Sequence, residues 1–205
     1  MERPGWVPIE SIFTEIKGGM KSHAAKIELP DGTSYIIKQI KKTYENPKKA
    51  NRKADKLKKQ YETLKTYLGP YIVDTDFRVE PTESGHYAVY VVQKFLDGSI
   101  SFKEGLSKAR ETGELQHFKD FLLRFPIMYS ETQTSPDITG NRHIKGWRWQ
   151  QLETTENVLV VNGEDGLLMP ILVDVGFISG EPIIMKQVHN WKLKRSSRRL
   201  LKSLG

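Results

Sequence analysis

Asp174 ends the apolar run Ile171-Leu172-Val173 and is followed by Val175-Gly176-Phe177. A carboxylate in that place suggests a charge held at a cleft floor, where a metal ion could neutralise it and phosphate chemistry could follow. A strand-end Asp capping a turn accounts for the same residues. The second residue suited to phosphate chemistry is Lys38, inside Tyr35-Ile36-Ile37-Lys38-Gln39-Ile40. Strand alternation puts it on the face of Ile36 and Ile40, where a long cation can lie along apolar surface and present its ammonium to a ligand phosphate. An edge-strand lysine that discourages aggregation fits as well. Gly18 and Gly19, in Lys17-Gly18-Gly19-Met20-Lys21-Ser22, can form a loop over a nucleotide or an ordinary turn.

The elements that must hold these residues can be read from local signals. Ala24 to Leu29 and Ser34 to Ile40 read as strands joined by Pro30-Asp31-Gly32-Thr33, whose Asp-Gly pair marks a hairpin. Asn46 caps a helix that Pro47 opens and Gly69-Pro70 stops, with Ala54, Leu57, Tyr61, Leu64 and Leu68 as its packed stripe. Glu62 is the acid best placed to reach back towards Lys38, although it falls off that stripe and a surface pair with Lys58 or Lys65 is the alternative. Phe77 to Glu80 and His86 to Val92 read as two more strands, and Gln93-Lys94-Phe95-Leu96-Asp97-Gly98 drops to polar turn residues. A boundary is therefore expected near residue 97. Leu115 to Phe125 reads as a helix that Pro126 ends or kinks. Val158 to Val161 and the run before Asp174 read as strands around Asn162-Gly163-Glu164-Asp165-Gly166.

The 205 residues suit one ordinary domain or two small lobes. Lys plus Arg exceed Asp plus Glu by 32 − 25 = 7, which favours phosphate ligands, acidic proteins or nucleic acid without choosing among them. From Lys38 to Lys65 eleven Lys or Arg face three acids, Glu45, Asp55 and Glu62. The tail from His189 to Leu204 mixes Lys192, Lys194, Arg195, Arg198, Arg199 and Lys202 with Trp191 and leucines. It suits a packed helix with a solvated basic face, or contact with a membrane surface, nucleic acid or acidic partner. The chain has no Cys, hence no disulfide or thiolate chemistry, which fits a reducing, cytoplasmic setting. No window is long and apolar enough to span a bilayer, and the N-terminus lacks a signal core, so a soluble protein is expected.

Taken in order, the glycine loop, the hairpin with Lys38, the helix with Glu62, the strands into a short crossover, a helix, a Pro-Asp loop, Asn157-Val158-Leu159-Val160 and Asp174-Val175-Gly176 resemble the protein kinase-like superfamily. The likeness is to its atypical branches, the aminoglycoside phosphotransferase-like and small bacterial kinase-like proteins. It covers roughly residues 12 to 180. Tyr61-Glu62-Thr63-Leu64 through Val73, and Val91-Val92-Gln93-Lys94-Phe95-Leu96-Asp97-Gly98, look like the helix-to-strand and hinge segments of such proteins.

The resemblance implies an α+β, two-lobed fold. Residues 1–97 would form an antiparallel-sheet N-lobe, and residues 98–205 a reduced, mainly helical C-lobe with a catalytic-loop-like segment and a basic C-terminal helix. It implies ATP and Mg2+ as cofactors. Lys38 would hold the α- and β-phosphates with Glu62 as its ion-pair partner, the segment Gln93 to Leu96, including Phe95, would receive the adenine, and Asp174 would hold magnesium. Asn157 fits the Asn of the family's catalytic loop, but five residues earlier stands Leu152, with Glu153 beside it. Ser135-Pro136-Asp137-Ile138-Thr139-Gly140-Asn141 looks like the Asp-led loop of the phosphotransferase branch, with Arg142 to Glu156 inserted. Asp137 would then be the base and Asn141 or Asn157 the second metal ligand; Asp137 as a turn starter is the alternative. The insert mixes Arg142, His143, Lys145 and Arg148 with Trp147 and Trp149, suited to stacking on a ligand or packing as a lid. His143 has no paired His or Cys at ligand spacing.

The functional expectation is γ-phosphoryl transfer to an unidentified acceptor. The alternatives are an inactive pseudokinase-type binding module, which the absence of a His before Asp137 favours, and a nucleic-acid-associated protein using residues 41–59 and the tail.

Overall fold

The computed structural model describes residues 1–16, 22–134, 136, 155–175, 191, 194–195 and 197–204. It is a mixed α and β chain. Five strands, β1 (Ile12–Ile16), β2 (Ser22–Glu28), β3 (Ser34–Ile40), β4 (Thr75–Pro81) and β5 (Tyr87–Lys94), form an antiparallel sheet in the order β1-β2-β3-β5-β4. Helix α1 (Pro47–Leu68) follows β3, and a 3-10 turn, Gly69–Tyr71, ends it. Strand β6 (Ile100–Ser101), helices α2 (Phe102–Thr112) and α3 (Gln116–Thr132), then β7 (Val158–Asn162) and β8 (Leu168–Leu172) complete the named elements, with a three-stranded sheet in the order β6-β7-β8. Residues 197–203 are helical. The chain divides into two compact units: Met1–Tyr61 with Asp74–Phe95, and Glu62–Val73 with Leu96–Gly205.

One turn design closes three of the described hairpins. Leu29 N–H donates to Thr33 O at 2.8 Å while Gly32 N–H donates to Leu29 O at 2.9 Å. The same pair of bonds recurs at Thr82, Gly85 and His86, and at Gly163, Gly166 and Leu167. Each turn puts its glycine at positive φ, +85° at Gly32, +77° at Gly85 and +79° at Gly166. This is a tight turn followed by a left-handed residue, the geometry for which Gly is the default choice. Asp31 and Asp165 reinforce two of them by accepting from the N–H two residues on, at 2.8 and 3.1 Å.

In the first unit the core lies on one face of the five-stranded sheet, where Ile27, Ile37, Ala88, Tyr90 and Val92 pack with Val7. Trp6 and Phe13 extend that layer, with the Arg78 guanidinium 4.1 Å from the Trp6 ring. In the second unit Phe102 and Leu106 of α2 and Phe118, Phe121, Leu122, Phe125 and Met128 of α3 are buried with Val158, Val160 and Leu172 of the small sheet.

Helix α3 runs further than the expected Leu115 to Phe125. Pro126 does not end it but lies inside it, and the helix runs on to Thr132. Proline removes one backbone N–H donor, yet Phe125 and Met128 on either side of it are both buried, and that packing carries the helix through. Strand β1, strand β6 and helix α2 are elements beyond those expected. Helix α2 carries both terminal signals, Ser101 Oγ accepting from Glu104 N–H at 3.2 Å and Gly113 at φ +77° after its end.

Among the described tail residues, Ser197, Leu200 and Leu204 are buried while Arg198, Arg199 and Lys202 are exposed. Among the described residues no helix is long and apolar enough to cross a membrane.

Candidate functional site

In the first unit, the β3 register pairs Lys38 with Ala24 of β2 and Val91 of β5. Both neighbours are buried and Lys38 is half-buried, so its aliphatic stem rests on apolar surface. Ile37, the preceding residue, points to the opposite face and is fully buried in the core. The alternation thus separates a packed face from one that carries a cation. On the Lys38 face Val91 pairs with Phe77 of β4, whose ring meets Tyr61 of α1 edge-on at 6.0 Å. The Tyr61 hydroxyl also accepts from Thr75 N–H at 3.3 Å, which fixes α1 against the start of β4.

Gln93 is buried, and its side-chain amide donates to Thr75 Oγ1 at 3.1 Å. Phe95 N–H donates to Ser34 O at 3.0 Å. Two groups expected to greet a base are therefore engaged inside the sheet. What Phe95 offers is its ring, and the Lys26 ammonium lies 4.3 Å from the ring centroid. Lys26 also pairs with the Glu28 carboxylate. Register makes Lys26 and Lys38 diagonal neighbours on one face, because Lys26 pairs with Ile36 and Ala24 with Lys38.

In the second unit, Asn157 and Asp174 leave the same end of the β7–β8 hairpin. The ladder pairs Val158 with Leu172, and Val173 N–H continues it by donating to Asn157 O at 2.9 Å. Val73 N–H caps the outer edge of β8 by donating to Leu172 O at 3.0 Å. Asn157 N–H is held by Thr155 Oγ1 at 3.1 Å. Both side chains are half-buried, and both supply the hard oxygen donors that suit magnesium. Among the described residues no three His, Cys, Asp or Glu gather into a metal cage. A magnesium ion here would take its other ligands from phosphate and water, as that ion commonly does.

Glu62 is exposed, on the part of α1 that belongs to the second unit. Gly18, Gly19, Asp137 and Asn141, and the insert from Arg142 to Trp149, lie outside the described residues. Pro136, just before Asp137, is buried.

A polar network in the second unit was not expected. The Tyr71 hydroxyl donates to Asp120 Oδ2 at 2.9 Å and lies 3.0 Å from His117 Nδ1, while His117 Nε2 lies 2.8 Å from Asp165 Oδ2. Arg124 completes it by donating to Asp120 Oδ2 at 3.0 Å and to Tyr67 O at 3.1 Å. Burial, then the bond to Asp120, drives the Tyr71 phenol far above its ordinary range. Burial also pushes the Asp120 carboxyl up, but the bonds from Arg124 and Tyr71 outweigh it and hold the group below the usual value. The bond to His117, followed by Leu167 N–H, lowers Asp165. The i,i+4 spacing of Asp120 and Arg124 was the available signal. The network ties α3 to the β7–β8 turn, at the end of that hairpin away from Asn157 and Asp174.

No family model matches the chain, and no curated protein does. Among solved structures it is similar to the kinase domain of maize sucrose-induced receptor kinase 1 bound to AMP-PNP, with a TM-score of 0.49 and 16% identity. The alignment covers 93% of this chain and 60% of that one, so the chain spans less than two thirds of that domain.

Proposed function

We propose that the protein is a kinase-like phosphotransferase that binds magnesium-ATP and transfers the γ-phosphoryl group to an acceptor. The observation that carries the reading is the β7–β8 hairpin, whose Val173-to-Asn157 bond brings Asn157 and Asp174 to one end. Phosphoryl transfer asks a protein mainly to position groups and neutralise charge, so a lysine, a metal carboxylate and a base are a sufficient minimal set. Lys38, half-buried on its sheet face, takes the phosphates, with Glu62 as its partner in the family pattern. Asp174 and Asn157 hold magnesium, which when bound withdraws charge from the phosphate oxygens. Gly18 and Gly19 cover the nucleotide, and the segment Gln93 to Leu96 receives the base, with the Phe95 ring as its contact and Gln93 holding the segment in the sheet through Thr75. Asp137 accepts the acceptor's hydroxyl proton.

The test is transfer from labelled ATP to a panel of acceptors, with water included. Asp137→Ala is expected to keep magnesium-ATP binding and to lose transfer. Equal turnover in wild type, Asp137→Ala and Asp174→Ala would contradict the assignment. Nucleotide binding without transfer to any acceptor would leave the pseudokinase reading in its place.

A further inference from the structure

The first thirteen residues of α1 carry a cationic face that the nucleotide reading does not use. At 3.6 residues per turn, Lys48, Lys49, Arg52, Lys53, Lys56 and Lys59 fall within an arc of about 140°, over a length of about 16 Å. Lys48, Lys49, Arg52, Lys56 and Lys59 are exposed. Among the described residues no carboxylate forms an ion pair with Lys48, Lys49, Arg52 or Lys56. The first turn of the helix contains no acidic residue, so Lys48 and Lys49 stand at the positive end of the helix dipole, opposite to the favourable arrangement. Lys48 with Arg52, Lys49 with Lys53 and Arg52 with Lys56 are like charges at i,i+4, each mildly destabilising. The helix thus breaks its own electrostatic rules on one face while Asn46 caps it correctly, Oδ1 accepting from Lys48 N–H at 2.8 Å. Such a local conflict is the mark of a surface shaped for something outside the fold.

The chemistry of the arc selects the partner. An amphipathic helix that enters a membrane must offer its apolar stripe, but Ala50, Ala54 and Leu57 are buried in the protein. A protein partner needs an apolar or aromatic anchor at the centre of the patch, and the arc has none. A single strand is gripped by stacking, and no aromatic lies among these cations. Five of the six charges are lysines, point charges without the fork geometry that reads a base edge. We infer that this face of α1 binds the phosphate backbone of a duplex nucleic acid without reading its bases.

The test is the salt dependence of binding to a 24-base-pair DNA duplex of arbitrary sequence, followed by fluorescence anisotropy on the full chain. Four phosphate contacts, at Lys48, Lys49, Arg52 and Lys56, give a slope of log K against log salt of roughly −3.6, a fall of about a hundredfold from 50 to 200 mM salt. Lys48→Gln/Lys49→Gln/Arg52→Gln/Lys56→Gln should lower the slope's magnitude by about 3 to 4. A charge-matched control, Lys58→Gln/Lys94→Gln/Lys103→Gln/Lys202→Gln, takes exposed lysines off the arc and should change it by less than about 1. Helical circular dichroism reports whether both variants fold; should the first not, Lys48→Gln/Arg52→Gln alone should lower the slope by about 2. Three outcomes overturn the inference: no binding at 50 mM salt, an equal effect of the control, or tighter binding to polyglutamate or anionic vesicles than to the duplex.

Discussion

Replacing Gly105 by alanine should weaken the protein, although the same change in an ordinary helix would strengthen it. Gly105 is inside α2 and buried, and an added Cβ would stand 2.6 Å from Cβ, Cγ1 and Cγ2 of Val160. Carbon atoms meet comfortably at about 3.5 to 4.0 Å, so the two backbones would have to separate by about 1 Å or Val160 would have to turn. Val160 is a poor candidate for turning, because its branched side chain is stiff and is itself fully buried on β7. Overpacking of this kind costs about 1 to 3 kcal/mol, and three simultaneous contacts argue for the upper end. The gain from removing a helical glycine is about 1 kcal/mol. The net loss should therefore be about 2 kcal/mol, a fall of roughly 4 to 8 °C in melting temperature for a chain of this size. Thermal unfolding followed by circular dichroism measures it. The double variant Gly105→Ala/Val160→Ala should be more stable than the sum of the single effects by about 1 to 3 kcal/mol, because the second truncation vacates the space the first one needs. A Gly105→Ala protein as stable as wild type would refute the close approach of α2 to β7.

Two further expectations concern stability. Ser101→Ala removes the hydroxyl that accepts from Glu104 N–H and should cost about 1 kcal/mol, roughly 2 to 4 °C in melting temperature, while Ser101→Asp should retain most of it. Asp120 and Asp165 have lowered carboxyl values in the folded protein, so their stabilising effect is complete above the unfolded value near 3.9 and is lost as pH falls from there through the lower folded values. Melting temperature should therefore drop below about pH 4, and Asp120→Asn/Asp165→Asn should show a shallower drop; parallel curves would exclude these carboxylates as the source.

Much of the sheet was legible because its turns are chemically explicit. Asp31-Gly32, Ser84-Gly85 and Asp165-Gly166 each announce a left-handed glycine, and the strands around them follow by alternation. The same alternation placed Lys38 on the face opposite Ile37. Strand β1 was harder to see, since Ile12, Thr14 and Ile16 lie on an exposed edge where burial imposes no pattern. Helix α2 carried a capping signal at Ser101 and Glu104, yet its glycine at position 105 reads as a breaker until Val160 is known to press against it. Pro126 was legible as a stop or a kink, and what the sequence did not carry is the tertiary burial of Phe125 and Met128 that takes the helix on past it. Asn157 and Asp174 were legible as the polar ends of two apolar strands. What could not be read was their join: a backbone bond from Val173 has no side-chain signature. The engagement of Phe95 N–H by Ser34 was hidden in the same way, and so was the meeting of Tyr71, His117 and Asp165 from three distant segments.

The central claim is that Asp174 holds the magnesium of a bound nucleotide. Thermal melting of wild type and Asp174→Ala with ATP, with and without magnesium, tests it most directly. Ligand at a hundredfold above its dissociation constant stabilises the folded state by about 2.7 kcal/mol, a shift of several degrees. A magnesium-dependent rise in wild type that disappears in Asp174→Ala is the predicted result. No shift in wild type at millimolar ATP, or an equal shift in the variant, would contradict the claim.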